Sequence, residues 1–162
     1  MYPIVTEKIN EYLESHRKDL DGIYISGGEP LMHEGVVSFL QYAKTLNYKI
    51  KIHTNGMFYE RLKTILAQKL VDHVSLDIKN APSAYAKTCG VEDMDLKDIE
   101  KSLDLLKQSV VPYDICVALV DELHNQATIE ELGQWIQGVD TVILQPFEDS
   151  ETTIDHSLHR PS

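Results

Sequence analysis

Residues 22–35 read GIYISGGEPLMHEG, and this stretch decides the architecture. Ile23-Tyr24-Ile25 is a short apolar run between turn-forming residues, the mark of a buried strand. Gly27, Gly28, Glu29 and Pro30 follow at once, so the chain leaves the strand through a bare backbone beside a carboxylate. In parallel α/β proteins such a turn lies at the carboxyl end of a strand, where ligands bind.

Outward from that turn, the same unit repeats. Upstream, Ile9, Tyr12, Leu13, His16 and Leu20 recur three or four apart, which predicts a helix within 4–20 that Asp21-Gly22 ends. Downstream, Val36, Val37, Phe39, Leu40 and Ala43 predict a helix, and Lys49-Ile50-Lys51-Ile52 alternates as a strand. Leu62, Ile65, Leu66 and Leu70 return to a helical period, and a strand over His73–Ile78 follows. A short helix after Pro82, a longer one through Ile99, Leu103 and Leu106, and a strand over Tyr113–Leu119 complete the third repeat. Thr128 with Glu131 has the spacing of a capping box ahead of Leu132, Trp135 and Ile136, predicting a helix that stops at Gly138. Thr141–Leu144 is the fifth strand, and beyond Phe147 the chain is polar without period, a loosely held tail. The expected organisation is one domain over 1–148 and a tail over 149–162. Strands alternating with helices imply an α/β fold with a parallel sheet of about five strands, either doubly wound or part of a (β/α) barrel.

Composition narrows the partners. With 15 Lys and Arg against 26 Asp and Glu, the formal charge of −11 opposes nucleic acid and anionic membranes. No run of about 18 apolar residues is present, and the opening residues lack the basic and apolar regions of a signal peptide, so a cytoplasmic protein is expected. Cys89 and Cys116 are the only cysteines, too few for a disulfide framework or a metal site built from thiolates.

The residues just past each strand are unusually polar. Gly27-Gly28 either admits a ligand to the backbone or simply makes the turn. Glu29 either accepts from a ligand ammonium or sits at a helix start. Thr54-Asn55-Gly56 reads as an ordinary turn, and His53 as a satisfied core histidine or a base. Asp77 and Lys79 lie two apart on one side of a strand end, offering a zwitterionic ligand one acceptor and one donor, or else pairing with each other. His124, His156 and His159 lack metal spacing; Cys116 reads as a small buried hydrophobe, and Cys89 has no activating base nearby.

Taken together, these motifs resemble the radical S-adenosylmethionine enzymes, and within them the activating proteins of glycyl radical enzymes. Ser26-Gly27-Gly28-Glu29-Pro30 is similar to the family's GGEP motif, His53-Thr54-Asn55-Gly56 to its strand-end TNG motif, and Asp77-Ile78-Lys79 to its DIK motif. Tyr85, Gly90-Val91 and Gln145-Pro146-Phe147 also fit, so the likeness spans about residues 4–148 in the family's order. The resemblance implies a truncated (β/α)₆ barrel. It implies S-adenosylmethionine as cofactor, bound by Gly27, Gly28, Glu29, Thr54, Asn55, Asp77 and Lys79. Its partner would be a glycyl radical enzyme such as anaerobic ribonucleotide reductase or a formate-lyase-type protein, on which a deoxyadenosyl radical abstracts a glycine hydrogen.

Two departures stand out. The family's first strand and three-cysteine [4Fe-4S] loop are not found here, and the chain opens in the helix that should follow them. Cys116 also stands where relatives carry an arginine thought to meet the cofactor carboxylate. Three readings follow: part of an activating enzyme whose cluster loop lies upstream, a cluster-free module that docks the same partner, or part of another GGEP enzyme such as a 7-carboxy-7-deazaguanine synthase relative. The first also predicts an unpaired edge on the strand at 23–25 and self-association through it.

Overall fold

The computed structural model describes residues 6–151, 153 and 155–161. Its elements run α1 (Thr6–Ser15), β1 (Gly22–Ile25), α2 (Val36–Thr45), β2 (Lys49–Thr54), α3 (Tyr59–Ala67), β3 (His73–Asp77), α4 (Pro82–Thr88), α5 (Lys97–Lys107), β4 (Tyr113–Leu119), α6 (Gln126–Trp135) and β5 (Val142–Pro146). All five strands are parallel, in the order β1-β2-β3-β4-β5. This order resolves the ambiguity left by periodicity. A doubly wound sheet reverses direction partway, whereas strands that advance one place at a time set every right-handed crossover on the same side, as a barrel does.

The side chains divide accordingly. Ile50 and Ile52 of β2, Val74 and Leu76 of β3, and Ile115 and Val117 of β4 are buried and belong to one hydrophobic core with Leu40 of α2, Leu62 and Ile65 of α3, and Leu103 and Leu106 of α5. Between them, the alternate residues Lys51, His53, His73, Ser75, Asp77, Asp114 and Cys116 take the opposite face. The registers Ser75 to Asp114 and Asp77 to Cys116 set these polar positions side by side.

Local differences from the sequence reading have plain causes. Helix α1 is described from Thr6 and ends at Ser15 rather than continuing to Leu20; beyond it the chain goes on in turns, with the Tyr12 carbonyl accepting the His16 N–H at 3.1 Å and the His16 carbonyl the Asp19 and Leu20 N–H groups at 2.9 and 3.1 Å. Positions 4 and 5 of that predicted helix lie outside the described residues. The predicted Thr128–Glu131 cap is replaced by one a turn earlier: Asn125 Oδ1 accepts the Thr128 N–H at 3.0 Å, and Thr128 Oγ1 accepts the Asn125 N–H at 3.0 Å. Glu131 instead holds the Ser83 N–H at the start of α4, at 3.0 Å. Helix α6 therefore starts at Gln126 and stops at Trp135, short of Gly138.

Gly56 follows β2 with φ +79°, and a Cβ there would lie 2.8 Å from Leu76 Cδ1 and 3.4 Å from Ser102 Cβ. The Ser102 hydroxyl donates to the Gly56 carbonyl at 2.7 Å, which fixes α5 against the turn. Gly56→Ala combines left-handed strain with overpacking, so about 2 kcal/mol of stability should be lost in urea unfolding, with an unchanged m-value.

Candidate functional site

The carboxyl ends of β1 and β2 are tied by one carboxylate. Glu29 caps a single 3₁₀ turn, Pro30–Met32, by accepting the Leu31 N–H on Oε1 at 2.9 Å. The same oxygen accepts the Thr54 hydroxyl at 2.8 Å, and Oε2 accepts the Asn55 N–H at 2.7 Å. Thr54 Oγ1 also receives the Gly56 N–H at 3.2 Å, and Asn55 Oδ1 the Met57 N–H at 3.0 Å. Glu29, Thr54 and Asn55, noted separately in the sequence, form a single buried knot; Glu29 is only 8% exposed.

The two glycines face outward from that knot. Gly27 has φ +94°, and a Cβ added to Gly27 or Gly28 would meet nothing within 4 Å. Both border a cleft of about 820 Å³ that also includes Glu29, Ile9 and Asn10 of α1, and Phe39 of α2. That volume lies within the range of about 300–1,000 Å³ usual for small-molecule sites. Asn10 Oδ1 is buried and has no hydrogen-bond partner among the described residues.

Asp77 and Lys79 lie apart from this knot and do not border the cleft. They pair with each other at 2.5 Å, and His53 Nε2 stands 3.7 Å from Asp77 Oδ2. Burial raises the Asp77 pKa, but the facing His53 ring and the charge and hydrogen bond of Lys79 outweigh it and hold the carboxyl below its ordinary value. His53 Nδ1 meets the Tyr24 hydroxyl at 2.9 Å, so Tyr24, His53 and Asp77 make a polar row across β1, β2 and β3. Neighbouring it, Asp114 accepts Ser75 Oγ at 2.6 Å and Lys51 Nζ at 3.1 Å, with His73 Nε2 at 2.6 Å. Burial opposes its charge, yet bonds from Ser75, His73, Lys51 and Cys116 keep its pKa well below the carboxylate range. The Cys116 thiol, 3.3 Å from Asp114, is pushed up to about 11, first by burial and then by that carboxylate.

The grouping of Lys51, His73 and Ser75 around Asp114 was not found as a site in the sequence. Its signal was present in the alternation of Lys51 with His53 and of His73, Ser75 and Asp77, but their pairing with Asp114 depends on register. His124, buried, is structural: Nε2 meets the Lys79 carbonyl at 3.0 Å and Nδ1 the Val120 backbone at 3.1 Å. The tail is tied to the loop after β4, where the Asp121 N–H meets the His159 carbonyl at 2.8 Å and Glu122 Oε2 accepts the His159 N–H at 2.9 Å.

The open-glycine turn at a strand end, on a sheet with sequential parallel order, accords with the comparisons. Residues 1–136 match the Radical SAM superfamily, and the chain belongs to that superfamily. It is 30% identical over 135 residues to a Methanocaldococcus jannaschii protein named for an inferred role as a glycyl-radical enzyme activating enzyme. That alignment covers 81% of this chain and 56% of the relative, so the chain spans little more than half of the relative's length. Among solved structures, a domain of pyruvate-formate lyase-activating enzyme from Bacteroides vulgatus aligns with a TM-score of 0.65 at 18% identity, covering 87% of this chain and 85% of that one. Streptococcus suis SuiB bound to S-adenosylmethionine aligns at 0.72 and 14% identity, covering 94% of this chain and 36% of that one. Both confirm the fold, a partial radical SAM barrel.

The residues present do not fit an iron–sulfur cluster. Cys89 is exposed after α4, Cys116 is buried on β4, and no group of three His, Cys, Asp or Glu among the described residues is placed to hold a metal. No helix among the described residues is long and apolar enough to cross a membrane.

Proposed function

We propose that this chain is the cofactor-binding part of a radical SAM activating enzyme that acts on a glycyl radical enzyme, of the anaerobic ribonucleotide reductase or formate-lyase type. The 30% identity to the M. jannaschii relative carries this reading. S-adenosylmethionine supplies the deoxyadenosyl group in this chemistry, and the described residues of this chain supply no cluster ligands. Within this chain, Gly27 and Gly28 leave room for the cofactor's methionine end. Glu29 positions the turn through Thr54 and Asn55 and retains lone pairs toward the same space. Asp77 and Lys79 stand on the polar face as an ion pair, with His53 facing Asp77.

Gly28→Val provides the test. Gly28 has no left-handed strain and a Cβ there meets nothing, so the variant keeps its fold while filling the space beside the turn. Calorimetric titration of S-adenosylmethionine should give at least a tenfold weaker Kd for the variant, with Tm unchanged. Equal affinity in both proteins, or no binding by the parent chain, overturns this placement of the cofactor. Cosedimentation with an anaerobic ribonucleotide reductase of the same organism tests the partner separately.

A second reading, a cluster-free module docking the same partner, draws support from Cys116. Its thiol is occupied by Asp114 and stands where an arginine was expected, so the β4 position adds no cation for a cofactor carboxylate.

A further inference from the structure

Tyr24 has no part in the cofactor reading, yet its hydroxyl is held by a base. It is in register with Lys51 of β2, which sets its side chain on the polar face that also carries His53. There the Tyr24 hydroxyl stands 2.9 Å from His53 Nδ1, with the two rings edge to face at 66°. His53 Nε2 stands 3.7 Å from Asp77 Oδ2, and a carboxylate can only accept. The tautomer that serves both neighbours carries its proton on Nε2, toward Asp77, and leaves Nδ1 to accept the phenolic proton.

That arrangement bears on electron transfer. Losing one electron makes a phenol O–H strongly acidic, so oxidation is eased where a base takes the proton in the same step, across the 2.6–3.2 Å or so that proton transfer requires. Among the described tyrosines, Tyr48 donates to the Leu13 carbonyl at 2.7 Å and Tyr42 to the Glu14 carboxylate at 2.6 Å, and Tyr24 is the one whose hydroxyl meets an imidazole. Imidazole, with an ordinary pKa of about 6.5, is a stronger base than a carboxylate at about 4.3 or a carbonyl. The other charges on this face suit the transfer. A proton arriving on His53 makes an imidazolium that faces the Asp77 carboxylate, which Lys79 also contacts. Lys51 Nζ, 5.9 Å from the Tyr24 ring centroid, opposes positive charge on the ring, but it is paired with Asp114 at 3.1 Å, and departure of the proton leaves the ring neutral.

We propose that Tyr24 is a redox-active tyrosine with His53 as its base, a sink for oxidising radicals on the polar face of the sheet. The oxidising radical takes one electron from the phenol and becomes its closed-shell anion. The phenolic O–H bond breaks, an N–H bond forms at His53 Nδ1, and Tyr24 is left as a neutral phenoxyl radical. A one-electron reductant such as ascorbate returns the electron while Nδ1 returns the proton, and the pair is restored. The inference depends on neither the cofactor nor the partner proposed above.

Pulse radiolysis in azide solution supplies the azidyl radical, which takes one electron and becomes azide. The parent chain, frozen after the pulse, should show a phenoxyl radical by electron paramagnetic resonance, coupled to one exchangeable proton that heavy water replaces. Tyr24→Phe should lower the trapped phenoxyl signal at least threefold. His53→Gln, which keeps a hydrogen-bonding group without the base, should lower it as far, and Tyr42→Phe, which removes the carboxylate-bonded phenol, should leave it unchanged. If His53→Gln does not fold by circular dichroism, Tyr24→Phe and the proton coupling still decide, because phenylalanine loses only the hydroxyl. An undiminished signal in Tyr24→Phe or in folded His53→Gln, or a phenoxyl radical without the exchangeable proton, overturns the proposal. A signal that falls as far in Tyr42→Phe also overturns it, by giving Tyr24 no preference.

Discussion

Asp114→Ala is expected to lower the stability of the protein by about 3 kcal/mol, or the Tm by about 10 °C for a chain of this size. The carboxylate is 4% exposed and carries four partners on the polar face of the sheet: Ser75, His73, Lys51 and Cys116. Lys51 and His73 are each about one-third exposed and recover part of their hydration when the carboxylate is removed. Ser75 is buried and does not, so its hydroxyl and the space left on β4 account for much of the loss. Asp114→Asn keeps the volume but turns an amide donor toward groups that already donate, so it should cost nearly as much. The pH dependence has a definite sign. The folded pKa lies below the unfolded value of about 3.9, so the contribution is complete above that value and disappears as pH falls through the folded pKa. Wild type and Asp114→Ala should therefore differ by a constant amount between about pH 5 and 7 and converge in acid. Urea unfolding at several pH values measures both arms; a difference that grows below pH 4 would contradict the charged network.

The fold was largely readable because each strand announces itself locally. Lys49-Ile50-Lys51-Ile52 has a period of two, the glycines at 27–28 and 56 mark strand ends, and amphipathic helices separate the strands. Strand order was not local information. Barrel and doubly wound sheets have the same alternation, and only the sequential pairing from β1 to β5 places all helices on one side. The cap of α6 illustrates the same limit at smaller scale. Thr128-x-x-Glu131 has the sequence pattern, but Glu131 is engaged by Ser83 from far away in the chain and Asn125 caps the helix with Thr128 instead. For the site, the sequence singles out glycines and carboxylates past the strands, but not how they group. Glu29 joins Thr54 and Asn55, whereas Asp77 and Lys79 join His53 on the other network, because sheet register and face decide who meets whom.

That grouping makes Glu29 the second position of large effect. Its two oxygens accept three protein donors, the N–H groups of Leu31 and Asn55 and the Thr54 hydroxyl, across 2.7–2.9 Å. Bonds to a charged acceptor contribute about 1.5–3 kcal/mol each before the loss of neighbours is shared, so Glu29→Ala should remove about 3 kcal/mol. Glu29→Gln separates the oxygens. If the amide oxygen takes the place of Oε1, Leu31 and Thr54 keep their acceptor while the Asn55 N–H faces an NH₂ group, for a loss of about 1.5 kcal/mol. Amide hydrogen exchange discriminates the two: Glu29→Gln should speed exchange at Asn55 and spare Leu31, and Glu29→Ala should speed both. The same pair of variants reports on the cofactor. If Glu29 acts on S-adenosylmethionine by positioning the turn, affinity should fall in step with exchange at Asn55, and Gln should retain an intermediate Kd. If the carboxylate itself receives the ammonium, Gln should bind as weakly as Ala despite its better-held turn. The three protein donors already occupying Glu29 favour the first outcome, in which Glu29 is a positioning residue.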